Sequence, residues 1–175
     1  DNEIEMIKSY QLMERVVRNL DLTTCYYRVG YFTTKELWKN EPFTIKWLKS
    51  SNQLVTKSLR FEIEIVEGGY EIVDNNEKTN FVVIWFNSVH VTSGIPFKIS
   101  PRLGLNLNSL IGKKFAFELL PLRQTTLSLC NRINIKTVAN QSDILGLSLT
   151  GTNTAKIEAT LNEIVKQFDL DGIKD

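Results

Sequence analysis

SLRFEIEIVEGGYEIVD, residues 58–74, settles the class of fold. Leu59, Phe61, Ile63 and Ile65 alternate with Arg60, Glu62 and Glu64. A period of two sends successive side chains to opposite sides of an extended chain, so this strand has one buried face and one wet face. Gly68-Gly69 supplies the positive backbone angles of a tight hairpin, and YEIV returns as the second strand.

Strand signals continue in both directions as runs rich in aromatic and β-branched residues. Upstream, TTCYYRVGYF and FTIKW read as strands, with TTKELWKNEPF between them as a short helical turn that breaks at Pro42. Downstream, DNNEKTN is a polar turn and FVVIWF another strand. The stretch to about Asn108 carries Gly94, Pro96, Pro101 and Gly104 and reads as loops with a short strand at PFKIS. KKFAFELL is again a strand. Pro121 suits the first turn of a helix, where its missing amide costs nothing. Leu122, Thr126, Leu129 and Ile133 continue a helical stripe from it, although TLSLCNRINI is equally compatible with an extended chain. INIKTV and ILGLSLT are two strands around the polar turn ANQSD.

Both ends of the chain have a different period. In NEIEMIKSYQLMERVVRNLDL, the residues Met6, Tyr10, Met13, Val17 and Leu20 recur at helical steps and predict one amphipathic helix from about Glu3 to Leu20. Asn2 and Glu5 have the form of a capping box at its start. Ile157, Leu161, Ile164 and Phe168 repeat the stripe near the other end, with Asn153 or Thr154 as N-cap. Helices at both ends and strands between them predict an α+β fold. It is expected as an α/β sandwich, both helices packing on one face of a mixed sheet. No internal repeat or linker interrupts the chain, which reads as one domain over residues 1–175.

With 42% apolar and 23% charged residues, the 175-residue chain has the composition of a folded globular domain. A net charge of +1 argues against a dedicated nucleic-acid surface, which needs clustered cations. Arg102, Lys113, Lys114 and Arg123 are the nearest approach to a basic surface contact, and read as solvated surface. No run of about eighteen apolar residues is present, so nothing within this stretch spans a bilayer as a helix. Cys25 and Cys130 are too few for a disulfide framework and too isolated for zinc; two buried thiols are expected in preference to a bridge.

The search for catalysis returns mostly negatives. His90, the one histidine, lies in NSVHVTSG and reads as structural. No serine sits in a G-x-S-x-G elbow. GLNLNSLIGKKF fails as a phosphate loop, because Gly104 is too far from Gly112 and Lys114 stands where a hydroxyl is required. Glu62 and Glu64 suggest paired carboxylates for glycoside hydrolysis, but their spacing puts both on the wet face of a strand. Trp38, Trp47 and Trp85 are expected to be core or partly buried. Catalytic, cofactor-binding and metal residues are therefore all expected to be absent from this stretch.

NEIEMIKS, LMERVVRNLDL, the tyrosine-containing strand at Tyr26-Tyr27 and ELWKNEPF together resemble the start of the extracytoplasmic domain of bacterial polysaccharide chain-length determinants (Wzz-type). SDILGLSLTGTNTAKIEATLNEIVKQFDLDGIKD resembles that family's closing strand, loop and helix, with Ala155, Leu161-Asn162 and an aromatic at Phe168. The DGIKD ending is similar to Bacteroidetes-type members fused to a cytoplasmic tyrosine autokinase. The terminal stretches cover about a third of the chain, and the middle matches only as a pattern of strands and turns. Relatives often carry a proline just before the last helix, where this chain has Thr154 and its neighbours.

The resemblance implies a fragment of a larger inner-membrane protein, this domain lying in the periplasm. A transmembrane helix would precede it, and a coiled-coil hairpin and second transmembrane helix would follow. It implies a non-catalytic oligomerisation and regulatory role in capsular or exopolysaccharide synthesis and export. Expected partners are further copies of the chain in a ring, and the polymerase and export machinery. ATP and magnesium would belong to the separate kinase domain. The alternative is an extracytoplasmic sensory or carbohydrate-binding module, its pocket formed by the tryptophans and the loops from Ser88 to Asn108.

Overall fold

The computed structural model describes residues 2–48, 55–73, 82–92, 94–138 and 145–174. Asn2 of the expected capping box, Phe81 and the turns DNNEKTN and ANQSD lie outside the described side chains and residues. The chain divides into two compact units, Thr24–Leu120 and the pair of segments Asp1–Thr23 and Pro121–Asp175.

Among its described residues Thr24–Leu120 is β apart from one short 3-10 helix, Leu107–Leu110. The described strands are β1 (Thr24–Val29), β2 (Thr34–Leu37), β3 (Phe43–Trp47), β4 (Leu59–Val66), β5 (Gly69–Val73), β6 (Ile84–Trp85), β7 (Val89–Thr92), β8 (Ile95–Pro101) and β9 (Lys114–Leu119). They form a six-stranded sheet in the order β2-β1-β9-β4-β5-β6 and a three-stranded sheet β3-β8-β7. The α+β class is as expected, and where a mixed sheet was expected every described pairing is antiparallel.

The alternation in β4 does what its period requires: Phe61, Ile63 and Ile65 are buried while Arg60 is exposed. Phe115 and Phe117 of β9 join them, and the three-stranded sheet contributes Phe43, Ile45, Phe97 and Ile99 to the same core. Its aromatic rings meet edge-on or tilted, with Phe43 and Phe115 at 4.8 Å and Phe61 and Phe97 at 5.0 Å between centroids. Such pairs add to what area burial alone contributes. The Tyr26 phenol accepts a hydrogen bond from the Ile45 amide at 3.1 Å, so one donor of the edge strand β3 is satisfied by the facing sheet.

The two glycines of the opening stretch serve different needs. Gly68 alone takes a positive φ, +76°. Gly69 already belongs to β5, and a Cβ there would stand 2.1 Å from the Ile84 carbonyl oxygen. Close approach of β6, rather than the turn, requires its missing side chain.

Three strand expectations change. TTKELWKNEPF holds strand β2, not a helical turn, because a tight turn closed by the Gly30 amide on the Thr33 carbonyl (2.8 Å) pairs Thr34–Leu37 with β1. FVVIWF contributes only Ile84–Trp85 among its described residues. The stretch expected to be mainly loops contains β7, and β8 extends beyond PFKIS to Ile95–Pro101.

The other unit holds α1 (Asn2–Ile7), α2 (Tyr10–Asn19), α3 (Leu122–Arg132), α4 (Thr154–Lys174) and a hairpin of β10 (Asn134–Thr137) with β11 (Leu145–Ser148). α2 packs against α3 and α4. The single first helix expected from Glu3 to Leu20 is broken at Lys8–Ser9. Ser9 is extended (ψ 141°), and its hydroxyl accepts from the Leu12 amide at 3.2 Å, the action of an N-cap that restarts the helix. The break resets the register, so Met6 is 37% exposed and Ile7 is buried in its place. Beyond it, Leu12, Met13, Val16 and Val17 are buried, and Tyr10 and Leu20 are half-buried.

Candidate functional site

The elements that carry the terminal sequence patterns meet along α2 and α4. On α4, Ile164 is buried and Ile157, Leu161 and Phe168 are half-buried, so the stripe faces inward as expected. Thr160 and Gln167, both polar, are buried beside them. Thr160 is satisfied by its own helix, its hydroxyl donating to the Lys156 carbonyl at 2.7 Å. Asn153 accepts from the Lys156 amide at 3.0 Å and caps the helix start.

A polar seam then ties the two helices. Arg15 donates through Nε to Gln167 Oε1 at 3.2 Å and through its second guanidinium nitrogen to Asp171. Asn19 donates to Glu163 Oε1 at 3.1 Å, and Gln167 Nε2 donates to the same oxygen at 2.8 Å. Desolvation works against the Glu163 carboxylate, but the bonds from Gln167 and Asn19 outweigh it and, with Lys166, hold its pKa below the ordinary value. As α2 runs from Arg15 to Asn19, its partners run back from Asp171 to Glu163. The helices are therefore antiparallel, and the start of α2 lies beside the end of α4. The sequence carries this seam as Arg15/Asn19 and Glu163/Gln167/Asp171, each at steps of four, a polar periodicity that an apolar stripe does not reveal.

The residues singled out for surface contact fall in both units. Arg102 is engaged with the Lys39 carbonyl at 2.8 Å and with the buried Glu41 carboxylate at 3.5 Å, where it balances a charge taken out of water. Lys114 opens β9 with Lys113 just before it, while Arg123 is exposed in the first turn of α3. The four do not form one patch within either unit.

The remaining candidates have structural places. Glu62 and Glu64 lie on the outer face of the six-stranded sheet, Glu64 opposite both Glu71 and Lys114. Beside them Arg60 lies 4.8 Å over the Tyr27 ring and 3.5 Å from Glu118. Burial, with nearby carboxylates, pushes the Tyr27 phenol well above its usual range. His90 is half-buried, edge-on to Phe97 at 5.7 Å. Trp47 donates to Thr24 Oγ1 at 3.0 Å, and Trp38 is half-buried. Trp85 departs from the expectation of burial: it is 62% exposed, because Gly68 offers its ring a flat seat at the sheet edge. Trp38 follows β2 and Trp85 lies in β6, opposite edges of the six-stranded sheet, which separates them by about 24 Å. A pocket lined by all three tryptophans is not formed. Cys25 and Cys130 are thiols rather than a bridge, and burial raises the pKa of Cys130.

Comparison with protein-family models and with curated proteins returns no match. Among the described residues no group of three or more His, Cys, Asp or Glu could hold a metal, and no helix is long and apolar enough to cross a membrane.

Two buried side-chain oxygens are without a hydrogen-bond partner among the described residues, Glu41 Oε2 and the Tyr70 hydroxyl, and burial pushes the pKa of the latter up to about 12. An unpaired buried hydroxyl is destabilising by about 1–3 kcal/mol. Tyr70→Phe keeps the ring against Phe86 at 5.8 Å and removes the hydroxyl. The variant is expected to be at least as stable as the parent in urea unfolding; a loss above about 1 kcal/mol would mean the hydroxyl is hydrogen-bonded in solution.

Proposed function

We propose that this chain is a non-catalytic extracytoplasmic assembly domain of a bacterial inner-membrane regulator of polysaccharide chain length. Its role would be to hold subunits in a ring during capsular or exopolysaccharide synthesis and export. The parent protein would carry a tyrosine autokinase domain on the cytoplasmic side, with ATP and magnesium bound there. What supports the reading is the resemblance of the two terminal stretches, joined to one structural observation. The helices bearing those stretches pair antiparallel through Arg15, Asn19, Glu163, Gln167 and Asp171. The start of one and the end of the other thus emerge together, which suits a domain whose flanking segments both return to one membrane.

Sedimentation velocity on a protein extended through the flanking hairpin and membrane segments, in detergent, tests this directly. Higher oligomers are expected, because those segments add the area a stable interface needs. A strict monomer at all concentrations would exclude the ring. Reading the flanking coding sequence gives an independent check: two hydrophobic spans are required, and a downstream G-x-x-x-x-G-K-[ST] identifies the kinase-fused form.

A further inference from the structure

The antiparallel register brings three turns of the Thr24–Leu120 unit to one end of its six-stranded sheet. Val29 stands opposite both Thr34 and Lys114, and Lys114 opposite Glu64. The turn between β1 and β2, the turn leading into β9 and the turn between β4 and β5 therefore all project past that row. At the first of them Tyr31 is 94% exposed and Phe32 is 90% exposed. Their rings meet each other edge-on at 4.6 Å, and all residues from Gly30 to Lys35 are exposed. Ile111, in the turn before β9, is exposed at the same end.

The face of the β1–β2 hairpin just behind this tip carries cations. Arg28 and Lys35 are direct cross-strand partners, a like-charge pairing that weakens a hairpin. Lys114 begins the next strand over, and Lys113 precedes it in the turn. None of these four cations enters an ion pair among the described residues. Of the carboxylates near this end, Glu64, Glu67 and Glu71 are on the β4–β5 half, and Glu36 follows Lys35 on β2, opposite Tyr27 on the other face of the sheet. Fold stability gives no account of two exposed rings at an apex backed by opposed cations.

We infer that the Tyr31-Phe32 hairpin tip is a membrane-contact element that inserts into the interfacial region of an anionic bilayer. Arg28 and Lys35 each stand three residues behind the nearer ring, about 10 Å along an extended strand. With the rings at the boundary between headgroups and acyl chains, about 5–10 Å deep, that spacing sets both cations at the level of the lipid phosphates. Tyrosine favours this layer because its ring is apolar at one end and wet at the other, and the phenylalanine ring adds apolar area on the acyl side. The shape is a convex, two-residue apex rather than a flat or hollow surface, which suits a fluid layer better than a rigid partner. The contact does not depend on the chain-length-regulator reading.

The test is co-sedimentation of the 175-residue chain with vesicles of equal parts phosphatidylcholine and phosphatidylglycerol, against phosphatidylcholine alone. Partition onto the anionic vesicles is expected, weakening with salt. The double variant Tyr31→Ser, Phe32→Ser should lose at least about tenfold in partition. Arg28→Gln with Lys35→Gln should lose about fivefold per cation and flatten the salt dependence. Unchanged melting temperature in both variants verifies that the loss is not unfolding. No partition onto anionic vesicles, or equal partition by the Ser variant, overturns the inference. So does a dimer of the parent chain that the Ser variant abolishes, which would assign the tip to a second copy.

Discussion

Phe117→Ala should lower the stability of the β unit by about 3–5 kcal/mol, enough to leave little of an ordinary domain's margin. Phe117 is fully buried on β9, the strand between β1 and β4. Its ring meets Phe61 at 5.5 Å, Tyr26 at 5.6 Å and Phe43 at 5.7 Å, so it touches both sheets and three strands besides its own. Truncation leaves a cavity whose walls are themselves rigid rings, and such walls relax poorly. Urea unfolding followed by tryptophan fluorescence, all three tryptophans lying in this unit, should show a lower midpoint with little change in slope. Phe117→Leu, which keeps most of the volume, should lose much less. A cost below about 1 kcal/mol for the alanine variant would mean that the two sheets do not close on this ring.

Met13→Ala tests the helical unit in the same way, with an expected loss of about 2–5 kcal/mol. Met13 is fully buried on the face that α2 turns toward α3 and α4. Met6→Ala is the informative control. A continuous helix would place Met6 on the same stripe, and its loss would then be of similar size. The break at Ser9 leaves it exposed, so the expected change is within about 0.5 kcal/mol. Comparable losses for the two variants, measured by far-UV circular dichroism in urea, would restore the unbroken helix.

Those two methionines mark where sequence reading works and where it stops. Hydrophobic period identified β4, β5, β9 and the inward face of α4, because each buries one side along its length. It could not see the break at Ser9, since a single hydroxyl capping one amide leaves no trace in an apolar pattern. β2 was misread because TKEL has no apolar alternation; its strand character comes from pairing with β1, a tertiary cause. Gly69 was read as a turn residue and proves to be a point of close approach, information held by Ile84 rather than by its own neighbourhood. The polar seam was legible in principle. Residues at steps of four on two helices were present, but which helices face each other is a property of the fold.

The place of β9 in its sheet also dictates an order of events. It is the last of the six strands to be synthesised, and it lies in the interior, joining β1–β2 to β4–β5–β6. Until Lys114–Leu119 emerges, those are two separate ribbons, each presenting an unpaired edge. α2 waits longer still, since the groups that engage Arg15 and Asn19 lie 156 and 144 residues further along the chain. Contacts of such span are slow to close. Until then the growing chain exposes open strand edges on two ribbons and the apolar stripe of an amphipathic helix, the kinds of surface through which incomplete chains associate.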